Sequence, residues 1–392
     1  MAAAEAGADA PAPTAEFERI YARRSGAIAH AANAGEPVLA YLGADMPAEL
    51  AIAAGLTPIR LMGEPALDRP DGDRLLGPRV TEAARSQLQR VLDGACDGAR
   101  GLVIARSTEE LVWLFYALRA LRRTDPDLDR RLPPLHLFDL LHLPHRTSGT
   151  YSLTRGRQLL TTLGAWSGRE ADEPALRAAV ALCNETRRLL QQVQALRAAD
   201  EPRLSGVQAL QVMGAGTLTP TKRYNALLQT LLSRSAELER WPGRRVFVTG
   251  GSQDTPDVYA AIEAAGAVVV GEDHDWGDGG CDGLVDEAAG DLVEAIVERY
   301  RFAPPPGAKH SIAERAAHTA TRAAELRAEL VVCVIRNGER GPRWDAPDQR
   351  QALAERGIEF LLLDDQDYRI DPAVITARVA EALAATGRRL AS

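Results

Sequence analysis

Residues 245–257 read Arg245-Val246-Phe247-Val248-Thr249-Gly250-Gly251-Ser252-Gln253-Asp254-Thr255-Pro256-Asp257. An apolar run enters two glycines, and a helix start follows at Pro256. Val246-Phe247-Val248 shows no alternation of apolar and polar residues. A strand covered on both faces reads this way, and helices packed on a parallel sheet cover both faces. Leu330-Val331-Val332-Cys333-Val334-Ile335 carries the same signature over a longer run. Further β-like runs stand at Val38–Leu42, Gly101–Ala105, Leu135–Leu140, Ala267–Val270, Glu329–Ile335 and Ile358–Leu363, each flanked by long helical stretches. That alternation predicts α/β domains with doubly wound parallel sheets.

The strands fall into two groups, over about residues 35–142 and 243–392. Between them Glu173–Ala199 and Gly206–Leu238 are helical in pattern, and Glu173-Pro174 sets proline at a helix start. Leu176, Val180, Cys183, Arg187, Leu190 and Val193 recur every three to four residues, an apolar stripe with arginines at its margin. The expected organisation is a disordered tail over 1–14, an N-terminal helix and first α/β domain over 15–160, a helical region over 161–242, and a second α/β domain over 243–392. The N-terminal helix, Ala15–Ala34, is expected to join the helical region.

Composition narrows the classes. The 392 residues exceed one ordinary core, and 46% hydrophobic content excludes wholesale disorder. Lys+Arg 46 against Asp+Glu 54 leaves −8, which argues against a broad nucleic-acid footprint. No apolar run approaches the ~18 residues of a membrane span. Residues 1–14 are rich in Ala and Pro without a basic start, the pattern of a frayed tail and not of a signal peptide. Cys96, Cys183, Cys281 and Cys333 lie far apart with no CxxC, which rules out a disulfide-dense secreted fold. These readings point to a soluble, cytoplasmic protein with neither nucleic-acid nor membrane partners.

Three strand ends could carry chemistry, because ligands of open α/β sheets bind at the carboxyl ends of strands. After Val38–Leu42 comes Met46-Pro47-Ala48-Glu49, where Glu49 falls in the first turn of a helix opened by Pro47 and either faces the crevice or complements the helix dipole. Gly250, Gly251 and Ser252 form either an anion cradle of backbone N–H groups or a tight turn before a capped helix. The GxGxxG spacing of a dinucleotide site is absent there. Gly271-Glu272-Asp273-His274-Asp275-Trp276-Gly277 gathers four ionisable groups, either an acid/base or metal cluster or a solvated loop. His136, His142 and His145 lie on a Leu/Pro-rich segment and read as packing or surface histidines, and Cys183 and Cys333 as small core side chains.

Taken in order, these pieces resemble the 2-hydroxyacyl-CoA dehydratase D-component family, related to the benzoyl-CoA reductase subunits. The resemblance runs from about residue 35 to 385. It rests on Met46-Pro47-Ala48-Glu49-Leu50 with Ala53-Ala54-Gly55-Leu56 and Pro58, on Asn184-Glu185-Thr186-Arg187, on Arg245–Gly250, on Ile262-Glu263 with Gly266-Ala267-Val268-Val269, and on Tyr300 before Pro304-Pro305-Pro306. It implies two flavodoxin-like domains plus a helical part, an acyl-CoA substrate, a heterodimer and an ATP-dependent activator. In that family three cysteines per subunit hold a [4Fe–4S] cluster, through which one electron reduces the thioester to a ketyl radical.

The sequence departs from the family at those ligands. The first cysteine position, four residues before Arg85-Ser86, holds Thr81; the second, after Gly101–Ala105, holds Thr108; the third, after Glu329–Ile335, holds Gly338. The chain is therefore expected to bind no cofactor or metal of its own, with any cluster carried by a partner subunit. One expectation is a catalytic subunit that keeps the acyl-CoA pocket, with Glu49 as acid/base group, Gly250, Gly251 and Ser252 against an anionic group, and Asp273 and His274 lining the cleft. The alternative is a non-catalytic structural partner of a cluster-bearing homologue.

Overall fold

The computed structural model describes residues 11–303 and 310–390. Residues 1–10 of the expected tail, and Pro304-Pro305-Pro306, lie outside the described residues. The remainder of the tail is tied to the fold: Thr14 is buried and the Pro11 carbonyl accepts from Arg234 at 3.0 Å.

Among the described residues, strands β1 (Val38–Leu42), β2 (Thr57–Arg60), β3 (Gly101–Ala105) and β4 (Leu135–Phe138) form one parallel sheet in the order β2-β1-β3-β4. Strands β5 (Arg244–Gly250), β6 (Ala267–Glu272), β7 (Leu330–Arg336) and β8 (Glu359–Gln366) form a second parallel sheet in the order β6-β5-β7-β8. The second order repeats the first, although no sequence repeat is visible. In each sheet the strand order reverses beside the first strand, between β1 and β3 and between β5 and β7, which creates a crevice at the carboxyl ends. Leu39 lies opposite Gly101, and Val246 opposite Leu330.

The helices are α1 (Ala15–Ala22), α2 (Ala27–Asn33), α3 (Ala48–Ala53), α4 (Pro70–Leu76), α5 (Glu82–Leu92), α6 (Glu109–Thr124), α7 (Pro126–Arg131) and α8 (Arg146–Ser167). They continue as α9 (Glu173–Ala198), α10 (Gly206–Gly216), α11 (Thr221–Ser233), α12 (Asp257–Ala264), α13 (Leu292–Phe302), α14 (Ile312–Glu325), α15 (Gly341–Ala354) and α16 (Pro372–Leu390).

The unbroken apolar runs reflect burial on both faces. Val331 packs with Phe247, Leu326 and Leu353, whereas Val332 and Val334 pack with Val258, Ile262 and Val379 on the opposite side. A third core is purely helical: Phe17, Leu190, Val193, Val212, Tyr224 and Leu228 unite α1, α9, α10 and α11, with Phe17 edge-on to Tyr224 at 6.1 Å.

Several expectations require correction. Strand β2 is absent from the sequence reading because it is four residues long and contains Pro58. Proline is tolerated there because β2 is an edge strand. The expected helix Ala15–Ala34 is broken by a 3₁₀ turn at Arg24–Gly26, where Ser25-Gly26 interrupts the good helix formers. Two of the α9 arginines are not marginal: Arg187 is 5% and Arg197 1% exposed. Helix α8 runs through residue 160 without a break, and α13, between β6 and β7 in sequence, packs Ile296 and Val297 into the core of Leu39, Phe138 and Leu159 below the first sheet. No described helix is long and apolar enough to cross a membrane.

Candidate functional site

The carboxyl ends of the two sheets meet. Arg60, at the end of β2, donates to the Asp275 carboxylate and to its carbonyl at 3.1 Å, and its guanidinium lies 3.7 Å over the Trp276 ring. The Tyr368 N–H donates to Glu82 at 3.0 Å, and the Tyr21 hydroxyl donates to the Asp254 carbonyl at 2.6 Å. The strands turn away from this seam on glycines. A Cβ on Gly43 (φ +87°) would lie 2.4 Å from the Ala105 carbonyl oxygen, and one on Gly250 (φ +109°) 2.4 Å from that of Val334. Only glycine permits both the left-handed backbone and the close approach.

At Gly250, Gly251 and Ser252, where an anion cradle or a tight turn was expected, a carboxyl group of the chain itself packs against the turn. Glu339 accepts from the Ser252 N–H at 3.3 Å and from the Arg336 N–H at 2.8 Å. Its carboxylate packs so closely on Gly251 that any Cβ there would overlap it. Partial burial, with a smaller push from the Glu110 carboxylate, outweighs the backbone donors and raises the Glu339 carboxyl to about 8. The sequence reading did not single out Glu339; its place directly after the Asn337-Gly338 turn was the available signal.

Two of the three positions where the family has cysteines are brought together. A Cβ on Gly338 (φ +93°) would lie 3.1 Å from the Thr81 nitrogen, so the loop after β7 packs on the start of α5. The Thr81 hydroxyl caps that helix and donates to Glu110 at 2.9 Å, and the Thr81 N–H donates to the same carboxylate at 3.3 Å. Thr108 is exposed, at the N-cap of α6, and the first turn of that helix carries Glu110 to Thr81. Cubane irons are normally held by cysteine thiolates. The groups assembled here are hydroxyl, carboxylate and backbone, so they do not fit such a cluster. The cysteines are free and buried. Burial pushes the Cys96 thiol up to about 12 and raises Cys183, Cys281 and Cys333 as well. Among the described residues, no group of three or more His, Cys, Asp or Glu is placed to hold a metal ion.

The Glu272–Asp275 run, expected as an acid/base or metal cluster or a solvated loop, does not gather its side chains at one point: successive side chains leave the strand end in opposite directions. Asp273 accepts from the Thr319 hydroxyl at 2.6 Å, on the α14–α15 side, where Gln349 bridges Thr319 and Thr249. Burial raises its carboxyl to about 6. His274 turns toward α12. The Trp276 N–H donates to its Nδ1 at 3.2 Å, so Nδ1 is unprotonated and Nε2 carries the proton toward the Tyr259 hydroxyl at 2.5 Å. Burial lowers the His274 pKa, keeping the ring neutral. Nor is the run a solvated loop. Glu272 is 3% exposed and engages the buried Arg197 through both carboxylate oxygens, at 2.8 and 2.5 Å, with Asp278 accepting from the same guanidinium at 3.2 Å.

Glu49 lies away from this seam. It is fully buried and accepts from Arg187, and the Tyr300 hydroxyl donates to its second oxygen at 3.1 Å while accepting from the Ala48 N–H at 3.2 Å. Burial raises its pKa, but the Arg187 and Arg299 guanidinium groups outweigh burial and hold the carboxyl below its usual range. Glu49, expected as the acid/base group, thus has no exposed surface and both its oxygens engaged by the chain. The Asn184–Arg187 pattern is explained by the same network. Arg187 donates to Asn184 at 3.0 Å, and Asn184 holds both the N–H and the carbonyl of Val285, at 3.0 and 2.8 Å. His136 packs edge-on to Trp166, consistent with its reading as a packing residue.

One of the subunits of benzoyl-CoA reductase from Thauera aromatica is 24% identical to this chain over 254 residues, which is 62% of this chain and 62% of that relative. The chain thus spans less than two thirds of that relative. Residues 44–382, which contain every described strand except β1, match the sequence model of the family described as 2-hydroxyglutaryl-CoA dehydratase, D-component. With most of its length inside that match, and with two parallel sheets meeting at their carboxyl ends, the chain belongs to the 2-hydroxyglutaryl-CoA dehydratase D-component family.

Proposed function

We propose that this chain is a subunit of an acyl-CoA dehydratase- or benzoyl-CoA reductase-like system, that it holds no [4Fe–4S] cluster of the family type, and that it works beside a homologous cluster-bearing subunit. A separate ATP-dependent activator would serve that partner. The observation that supports this reading is the contact of Gly338 with Thr81, because two of the three positions stand together there and present a hydroxyl and backbone but no thiol. Anaerobic purification followed by iron analysis and visible absorption tests it. The expected result is a colourless chain without stoichiometric iron; a brown protein with about four irons per chain would overturn the reading.

A second reading, a structural partner without catalysis, draws support from two contacts. Glu339 already occupies the strand-end cradle, and Glu49 is locked by Arg187 and Tyr300. Co-purification with a neighbouring homologue, and acyl-CoA titration of each chain alone, separate the two. If this chain alone binds no acyl-CoA and Glu49→Gln leaves the assembled complex fully active, the structural reading stands.

A further inference from the structure

A groove of about 1060 Å³ lies at the opposite end of the first sheet from the seam, beside Pro37 and Thr57, which precede or open β1 and β2. Its apolar surface comes from Ile20, Ile52, Leu56, Leu182 and Leu218. The N-terminus of the thirteen-residue α11 opens onto it, through Pro220, Thr221, Lys222 and Arg223. Pro220 at the N-cap supplies no side-chain acceptor. The first amides of the helix therefore present unmatched donors and the positive end of the dipole.

Two further observations point the same way. Thr219 lines the groove, is only 4% exposed, and its hydroxyl finds no hydrogen-bond partner among the described residues. On a residue otherwise packed into the fold, a hydroxyl that borders the groove without a protein partner can bond a polar group that enters there. The rim is cationic on a chain of net charge −8. Glu16 is already engaged by Arg19 and Arg223, and Glu36 accepts from Thr57, whereas Arg23 and Lys222 have no carboxylate partner among the described residues.

We propose that this groove binds an organic phosphate, with the phosphate at the α11 N-terminus between Lys222, Arg23 and Thr219 and an uncharged body on the apolar surface. Helix N-termini accept phosphate through backbone N–H groups. A cavity of this size accommodates a nucleotide-sized ligand. Because the groove lies at the far end of the sheet from the seam, this site stands or falls independently of the proposed acyl-CoA function.

Calorimetric titration of the full chain with inorganic phosphate, adenosine 5′-monophosphate and hexyl phosphate tests it. One organic phosphate is expected to saturate a single site, with inorganic phosphate weaker by about tenfold or more because it gains nothing from the apolar surface. Whichever organic probe binds more tightly distinguishes a nucleotide from an alkyl phosphate as the source. Arg23→Glu with Lys222→Glu, both exposed and without partners, is expected to weaken that binding by about tenfold or more with the circular dichroism spectrum unchanged. Thr219→Val is expected to weaken it by several-fold. Three results overturn the proposal: no saturable binding of any probe, inorganic phosphate binding as well as the organic ones, or full affinity after the double charge reversal.

Discussion

Replacing Arg187 by methionine removes the only cation within ion-pair reach of Glu49 among the described residues and leaves a carboxylate with no exposed surface. The Tyr300 hydroxyl still donates one hydrogen bond, but no opposite charge remains in contact. Breaking a buried pair from one side costs about 3–5 kcal/mol, because the remaining charge stays desolvated. The loss of the Arg187 bond to Asn184 adds to this, since Asn184 fixes Val285. Denaturant unfolding, followed by tryptophan fluorescence at neutral pH, is expected to show a loss of that size. The pH dependence should change as well. In the native chain the Glu49 carboxyl is held below its usual range, so its contribution is present above the unfolded value of 4.5 and is lost as pH falls through the folded one. Without Arg187 burial is opposed less, with Arg299 remaining but no ion-pair partner, so the carboxyl pKa rises, and Arg187→Met should lose less at pH 5 than at pH 8. Glu49→Leu combined with Arg187→Met should recover most of the loss, because an apolar pair of similar volume carries no desolvated charge. A single variant within about 1 kcal/mol of the native chain, with unchanged pH dependence, would refute the reasoning.

The seam carries its own pH signature. Glu339, raised to about 8 against 4.5 unfolded, keeps its proton in the fold after the unfolded chain has lost it, so stability should fall by about 4 kcal/mol from pH 5 to pH 9; isothermal unfolding of Glu339→Gln should lack that slope. Gly250→Ala sets a Cβ 2.4 Å from the Val334 carbonyl oxygen at φ +109° and is expected to cost at least about 2 kcal/mol, read as a lower denaturation midpoint, whereas Gly266→Ala, with φ +86° but open space around it, should cost less. Arg60→Met removes an ion pair and a stacking contact between the two sheets and should cost about 2 kcal/mol, with faster hydrogen exchange at residues 273–277; unchanged exchange there would remove Arg60 as a tie across the seam.

What the sequence disclosed follows from the range of the forces involved. The central strands β5 and β7 were legible because burial on both faces removes the polar alternation from the chain itself. Strand β2 was not, because an edge strand of four residues with Pro58 leaves no periodic trace. Arg187 looked marginal, and Arg197 was not singled out, because a helical stripe shows which residues share a face but not what stands opposite. The partners of Arg187 and Arg197, Glu49 and Glu272, are 138 and 75 positions away. The break at Arg24–Gly26 escaped for the opposite reason. One Ser-Gly step in an alanine-rich run costs about 1 kcal/mol, too little to read without the tertiary contacts that decide it. Asp273 and His274 stand together in the sequence at a strand end, but strand geometry sends neighbours to opposite sides, and the partners of each come from different helices.

The position of Glu339 ties these observations together. A structural metal site folds only when its ion supplies the energy that joins its ligands. Each side of the contact between Gly338 and Thr81 is ordered by a carboxyl of the chain: Glu110 binds Thr81 from α6, and Glu339 binds the Ser252 and Arg336 amides across the turn. Each of these carboxyls titrates above its usual range chiefly because it is buried. Burial of that kind is tolerable only where donors are already in place, and here the donors come from both sides of the seam. The two sheets are tied across the seam by Arg60 with Asp275 and by Glu82 with Tyr368, and the same carboxyl that closes the turn after β7 also packs against the turn after β5. A ligand that entered that cradle would first have to displace Glu339. Its affinity would then fall as pH rises through about 8, because above that value the displaced group is a charged carboxylate that holds its amide donors more strongly.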